Sequence, residues 1–436
     1  MKLQKIIALA LAKGFSEVEV SYSRNSSVSF ELFERKLEKN EISISSGLTI
    51  RGVYQGHIST VSTENISEKE FDVLLDRLKD SCLAITSNEP FLIFEGSPKY
   101  TKVSTKSFDF TSVSQSEKLD RAYKLNDLIV SKDKRIEKVE ISYSEAKSES
   151  EMYNSKGLNL KKKKVYAYYV ASAVIKDGED SRDNYEYEVK SKDNDFNIAN
   201  IAEELTYGLI SQLHPQQIPS GEYAVLLDNR VVNDIVGAFF SMFSGYSAIR
   251  NLTLLKDKIG EKVFGDNITL IDDPFDSNSF SQESFDDEGV ACQKRTLVEK
   301  GVLKTLFHNL KTSIMLKTEP TGHGFGGGVS FTNLLLTPGT TPLKELIASL
   351  KDGVYVTSLA GLHAGLNPVS GDFSGQVSGY KIENGSIAYP VSLLVLADNF
   401  ITLLNKVEVL GNDVRRSLSG VASPSLLIKA CKIAGK

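Results

Sequence analysis

The chain has 436 residues, 41% of them hydrophobic and 25% charged, and a formal net charge of −5. That length accommodates two domains with separate cores, and the slightly acidic balance excludes nucleic-acid binding driven by overall charge. Three cysteines, Cys82, Cys292 and Cys431, lie far apart and form no CxxC pair. They exclude a disulfide framework and a cysteine-rich zinc site, and fit a reducing compartment.

Lys2 and Lys5 precede a short apolar run at residues 6–12. The run is too short for a secretory leader, and Gly14 stops it, so an amphipathic first helix is expected. No apolar run reaches membrane-spanning length, and the expected location is the cytoplasm. Alternating segments then predict strands at 18–23, 27–34, 41–45, 48–54 and 57–62. Ser67 and Glu70 read as a capping box for a helix with Phe71, Leu74, Leu75 and Leu78 as its apolar stripe.

The order then recurs. A helix at 116–131 precedes Val139-Glu140-Ile141-Ser142-Tyr143-Ser144, a near copy of Val18-Glu19-Val20-Ser21-Tyr22-Ser23. Strands follow near 149–153, 164–175 and 184–190, and a helix near 198–213. This reads as a duplication, with halves at about 1–100 and 115–217 in a first domain of residues 1–217. Lys161-Lys162-Lys163-Lys164, followed by Tyr166, Tyr168 and Tyr169, is a possible single-strand nucleic-acid patch, but reads better as a lysine-protected strand edge, so no nucleic-acid partner is expected.

The prolines and glycine of residues 214–221 mark the boundary to a second, β-rich domain at 218–436. It opens with a strand at 223–227 and a helix at 230–243 capped by Asp228 or Asn229. A hairpin turns at Lys300-Gly301, and strands follow at 333–337, 354–358 and 376–382. Helices are expected at 342–351 and 396–407, and a last strand at 425–429. The fold class is α+β, with mixed, largely antiparallel sheets and flanking helices.

No two of the five histidines are spaced to grip a metal from one helix. His363, Asn367, Ser370 and Asp372 share a glycine-rich loop. They resemble a hydrolase triad in composition, but lack a nucleophile-elbow context, and fit a peptide-facing loop better. Gly326 and Gly327, in the glycine-rich run 322–328, fit close backbone approach and lack a phosphate-loop pattern. The acidic run Asp286-Asp287-Glu288 reads as a solvated turn.

An ordered set of motifs remains. Ser284-Phe285-Asp286-Asp287-Glu288-Gly289-Val290 leads into Arg295-Thr296-Leu297-Val298-Glu299-Lys300-Gly301. Asn333-Leu334-Leu335-Leu336 precedes Pro338-Gly339, and the loop at 363–373 follows. Glu383-Asn384-Gly385, Tyr389-Pro390-Val391, Leu410-Gly411-Asn412-Asp413 and Ser423-Pro424-Ser425-Leu426-Leu427-Ile428 complete it. Over roughly residues 220–430 this set resembles the TldD/PmbA family of metalloproteases, while the first half agrees in its order of elements.

The resemblance implies two branches. TldD-like chains carry a HExxxH helix that binds zinc, with the Glu as general base and a cysteine near the C-terminus as third ligand. PmbA-like (TldE) chains lack these and pair with TldD in a heterodimer, where unfolded peptides lie as added strands and are cleaved. Here Asn233 stands for the first His, Asp234 for the Glu and Ala238 for the second His. Residues 414–421 hold no cysteine, and Cys431, expected beyond the last strand, is not assigned the ligand role.

The resemblance therefore implies a non-catalytic PmbA/TldE-like subunit without cofactor, with zinc in a TldD-like partner and a peptide as substrate. The alternatives are an independent hydrolase using His363, Ser370 and Asp372, and a homodimeric peptide-binding protein.

Overall fold

The computed structural model describes residues 3–86, 89–103 and 106–436; Lys2 lies outside them. Its architecture is α+β, with mixed, largely antiparallel sheets and flanking helices. The chain divides into two compact units. One holds residues 1–174, 183–206 and 284–292, and the other holds 175–182, 207–283 and 293–436.

The first unit runs α1 (Leu3–Ala12), β1 (Glu17–Phe33), β2 (Lys36–Tyr54), β3 (His57–Thr63) and α2 (Phe71–Ala84). The same order follows in α3 (Gln115–Lys132), β4 (Ile136–Asn154), β5 (Asn159–Asp177), β6 (Asp180–Lys190) and α4 (Ile198–Ser211). One sheet takes the order β3-β2-β1-β4-β5-β6. The two sets meet at their first strands, which pair antiparallel from Glu19 opposite Asn154 to Phe33 opposite Glu140.

Where the sequence pattern suggested several short strands, the structure has long continuous ones. Alternation fades at Ser23–Ser27 and Ser43–Gly47, yet β1 and β2 stay paired through both stretches. Serine leaves the ladder intact. What it removes is the apolar marker that a pattern needs.

Helix packing follows the apolar periodicity. Ile6, Ile7 and Ala10 of α1 and Phe71, Leu74, Leu75 and Leu78 of α2 bury against Val18, Val20, Leu48 and Ile50. Each such aliphatic side chain contributes about 1.5–3 kcal/mol when fully buried. The expected capping box is absent. Ser67 precedes a 3-10 turn (Glu68–Glu70) and makes no side-chain cap bond. The extra turn moves the α-helix start to Phe71, out of reach of the Ser67 hydroxyl. In α3 the Ser114 hydroxyl does cap, accepting from the Glu117 N–H at 3.2 Å.

One further correction falls in this unit. Asp286 is fully buried, not solvated. Its carboxylate accepts from the N–H groups of Glu288 at 3.0 Å and Val290 at 2.9 Å, which folds the acidic run into a tight turn. Of the lysine run, Lys161 pairs with Glu151 at 3.0 Å and Lys162 with Asp287 at 3.0 Å.

The second unit contains β7 (Gly221–Leu227), α5 (Asn229–Ala238), α6 (Gly245–Ile249), β8 (Leu270–Asp272), β9 (Arg295–Glu299), β10 (Val302–Leu303) and α7 (Leu310–Leu316). It continues with β11 (Leu334–Leu336), α8 (Leu343–Leu350), β12 (Gly353–Ala360), β13 (Leu366–Asn367), β14 (Asp372–Glu383) and β15 (Ser386–Asn399). It ends with α9 (Phe400–Asn405), β16 (Val407–Leu410), β17 (Arg415–Arg416), β18 (Ala422–Ser423) and β19 (Leu426–Ala434).

One sheet is ordered β10-β9-β8-β11-β18-β17, the other β12-β7-β19-β15-β14-β13. In the latter, β12 pairs with both β7 and β14, so the sheet closes on itself and leaves few open edges. The core joins Val225 and Leu227 of β7, Val354 and Val356 of β12, and Val231, Val232, Ile235 and Val236 of α5.

Three boundaries differ from expectation. The helix read over 230–243 is two pieces: α5 ends at Ala238 and a 3-10 turn spans Phe240–Phe243. The helix read over 396–407 begins only at Phe400, because Asn399 caps it by accepting from the Ile401 and Thr402 N–H groups at 3.1 and 3.3 Å. Residues 396–399 belong to β15. Finally, β19 runs on to Ala434, so Cys431 lies inside the last strand. Burial there pushes the Cys431 thiol up to about 12, which suits a packing residue rather than a ligand.

Candidate functional site

The site is built around α5. Asp228 caps the helix by accepting from the Arg230 N–H at 3.0 Å, and also accepts from the Tyr355 hydroxyl at 2.6 Å. Burial pushes the Asp228 carboxyl above its ordinary range. The next residue ties the helix to a distant stretch. Asn229 Nδ2 donates to the Asp413 carbonyl at 2.7 Å, and the Asp413 carboxylate accepts from the Ser425 N–H at 3.0 Å and hydroxyl at 2.6 Å. Motifs around 410–413 and 423–428 therefore anchor the N-terminus of this helix.

Asn233, four residues after Asn229 on α5, is buried. Its Nδ2 donates to the Arg415 carbonyl at 3.0 Å, and its Oδ1 accepts from the Ser423 hydroxyl at 2.9 Å. Both functions of the amide are engaged, and the helix is bound through them to β17 and β18. Asp234 points outward and is exposed. Desolvation by the surrounding chain still raises its carboxyl above the ordinary value. Ala238, half-buried, is the last residue of α5 and carries no donor atom.

The helix end meets the 361–373 loop and the segment that follows the glycine-rich run. Phe239 packs on Phe373, at the end of the 361–373 loop, with ring centroids 5.9 Å apart. Phe240 packs on Phe331, just past the glycine-rich run, at 4.7 Å. Gly326 and Gly327 are exposed at φ values of +58° and +75°, and a Cβ on either would meet nothing within 4 Å. Their conformation, not crowding, is what favours glycine there.

In the 361–373 loop, Ser370 Oγ donates to Asp372 Oδ2 at 2.7 Å, and Asn399 Nδ2 donates to Asp372 Oδ1 at 2.9 Å. The Asn399 and Ser370 bonds hold the Asp372 carboxyl below its usual range. Asn367 Oδ1 accepts from the N–H groups of Val369 and Ser370 at 3.0 and 3.3 Å. His363 is exposed, and among the described residues no hydrogen bond joins it to Ser370 or Asp372. The serine proton is thus directed at a carboxylate with a depressed pKa, a poor base. The arrangement is a braced turn, and it does not assemble a triad.

Sequence reasoning missed a buried polar hub beneath the glycine-rich run. Asp272, fully buried, accepts from the Thr332 N–H at 2.9 Å, the Asn333 N–H at 2.8 Å and the Thr332 hydroxyl at 2.6 Å. His323 Nε2 lies 3.1 Å from Asp272 Oδ2, and its Nδ1 lies 2.9 Å from Thr321 Oγ1. The His323 ring stacks on Phe307 at 3.7 Å. His308, bonded through its N–H to Thr321 Oγ1 at 2.7 Å, has its imidazole lowered to about 4 by burial, with the Arg295 charge adding to the effect. No local spacing signals this hub, because its members come from four separate segments.

In the TldD-like branch the resemblance puts zinc ligands at the places of residues 233 and 238 and the general base at that of 234, so the groups this chain carries there are tested against that metal. A catalytic zinc site needs three protein ligands from imidazole, thiolate or carboxylate. Here one position is an amide with both functions occupied, one is a lone carboxylate and one is a methyl group. Among the described residues no group of three His, Cys, Asp or Glu side chains is placed to hold a metal ion. These donors do not fit zinc.

Comparison with known proteins gives the fold its relatives. Models of three PmbA/TldA metallopeptidase domains match in order: domain 1 at residues 18–82, the central domain at 108–213 and the C-terminal domain at 220–435. The metalloprotease PmbA of Escherichia coli O157:H7 is 25% identical over 98% of this chain and 95% of its own length. A solved structure from Thermotoga maritima, a candidate modulator of a DNA gyrase, is 31% identical, with a TM-score of 0.92 and 99% of each chain covered. The fold is also that of TldE from Thermococcus kodakarensis, at a TM-score of 0.90, 20% identity and 99% coverage of each chain. The chain belongs to the PmbA/TldD metallopeptidase family and is a PmbA/TldE-like member of it.

Proposed function

We propose that this chain is the non-catalytic subunit of a TldD/TldE-type metalloprotease complex. It pairs with a TldD-like chain that carries the zinc, and together they hold and cleave unfolded peptides or peptide precursors in the cytoplasm. The observation that carries this reading is the use made of Asn233. Where the resemblance calls for a ligand, this side chain spends both its hydrogen-bonding functions on Arg415 and Ser423. The braced 361–373 loop meets the end of the same helix at Phe373, and with the exposed Gly326 and Gly327 it offers backbone and polar groups to an extended peptide.

The alternative of an independent hydrolase lacks a base for Ser370 and is not favoured by the geometry of that loop. The test is metal analysis of the purified chain, followed by peptidase assays with and without a TldD-like partner. Hydrolysis that needs both chains supports the reading. Partner activity unchanged by this chain overturns it.

A further inference from the structure

The first unit leaves a long strand edge open. β2 pairs with β1 along its whole length, from Lys36 to Val53, but β3 covers the opposite edge only from Leu48 to Tyr54. Among the described residues, the outer edge of 36–47 has no strand beside it. Backbone N–H and C=O groups on such an edge are a template for another strand. The same stretch carries Ile42 and Ile44, 73% and 66% exposed, the two most exposed large aliphatic side chains among the described residues. Both lie on one face, beside a groove of about 420 Å³ that also reaches Val28, Phe108 and Phe110. Lysines guard the start of β5, the strand holding the corresponding place in the second αβββα set. On β2 the lysines, Lys36 and Lys39, stop short of Ile42 and Ile44, and these aliphatic side chains stand in the open.

We infer that this edge is a self-pairing surface: β2 of one chain adds antiparallel to β2 of a second copy, about a two-fold axis at Ser43. The register follows from chemistry. A two-fold perpendicular to the sheet keeps each side chain on its face, so a residue must sit on the axis. With Ser43 there, Ile42 faces Ile44 of the second copy and Ile44 faces its Ile42. Glu41 then faces Ser45, Asn40 faces Ser46 and Lys39 faces Gly47, so no like charges oppose each other. No other two-fold register sets both isoleucines against isoleucines. An axis at Glu41 opposes that carboxylate to itself, and one at Asn40 sets Ile42 against Glu38 and Ile44 against Lys36. The Ser43 register uses residues 39–47 and stops where β3 takes over the edge at Leu48. The second copy is favoured over an unrelated strand because the sequence complements itself. The inference stands apart from the peptidase reading, since it concerns the first unit alone.

The experiment is sedimentation of the full chain, without any partner, compared with an Ile42→Lys/Ile44→Lys variant. Both side chains are exposed, so the variant is expected to keep the wild-type circular dichroism and melting temperature. The wild type is expected at the mass of two chains, and the variant at the mass of one. Ser43→Cys supplies a second readout. Cys82, Cys292 and Cys431 are buried, so a disulfide-linked dimer on a non-reducing gel reports Ser43 facing its own copy. A wild-type monomer, or a dimer that persists in the double-lysine variant, overturns the inference. A dimer in which Ser43→Cys forms no cross-link overturns the register.

Discussion

The Ser423 hydroxyl donates to Asn233 Oδ1 at 2.9 Å, inside a helix–strand junction that excludes solvent. This bond, with that from Asn233 Nδ2 to the Arg415 carbonyl at 3.0 Å, makes Asn233 a structural tie. Asn233→Ala removes the amide donor to the half-buried Arg415 carbonyl and leaves the buried Ser423 hydroxyl only the Asn229 carbonyl, 3.1 Å away, of its two acceptors. The expected cost is about 1–3 kcal/mol of unfolding free energy, read from urea denaturation, with the metal content of the protein unchanged.

The Asp272 carboxylate gathers donors from Thr332, Asn333 and His323 in a fully buried position. Asp272→Asn turns an amide toward groups that themselves donate, and is expected to cost about 3 kcal/mol or more. Because Thr332 and Asn333 follow the glycine-rich run, the variant should also speed amide hydrogen exchange across residues 322–333. Unchanged stability and exchange would show that the hub does not hold this segment.

His308 gives the fold a pH dependence of defined sign. The folded state takes up its proton only near pH 4, whereas an unfolded histidine does so near the ordinary 6.5. The stabilisation is therefore complete above about pH 6.5 and is lost as the pH falls toward 4, by about 3 kcal/mol. Urea midpoints measured from pH 7 to 4 should fall more steeply for the wild type than for His308→Gln. Parallel curves would contradict the assignment.

Gly245 sits against this histidine. A Cβ built there would lie 2.3 Å from His308 Nδ1 and 3.0 Å from the Phe307 carbonyl oxygen. Gly245→Ala must displace the ring or the backbone, and about 1–3 kcal/mol of destabilisation is expected from the overpacking. Thermal melting checks it, and a melting temperature equal to wild type would show that the ring moves freely.

What the sequence made legible was local. The apolar stripes of α1, α2 and α5, the turn at Lys300-Gly301, with φ values of +47° and +79°, and the Asp228 cap all follow from short-range chemistry. Continuous pairing through the serine-rich middles of β1 and β2 was not legible, since two neighbouring strands supply it and no apolar marker records it. The burial of Asp286 and Asp272 was hidden for a related reason. Backbone N–H groups satisfy those carboxylates, and a sequence shows the charge but not its donors. At the site, positions 233, 234 and 238 were readable as residue types. That Asn233 is consumed by Arg415 and Ser423 needed the fold, because those partners lie 182 and 190 residues away.

The most direct test of the zinc-free subunit reading combines zinc quantification with peptide hydrolysis, for this chain alone, for a TldD-like partner alone and for the two mixed. The account predicts substoichiometric zinc and no hydrolysis for this chain alone, including a His363→Ala variant indistinguishable from wild type. It predicts hydrolysis when the two chains are combined. One zinc per chain in this protein by itself, together with chelator-sensitive hydrolysis, would contradict it.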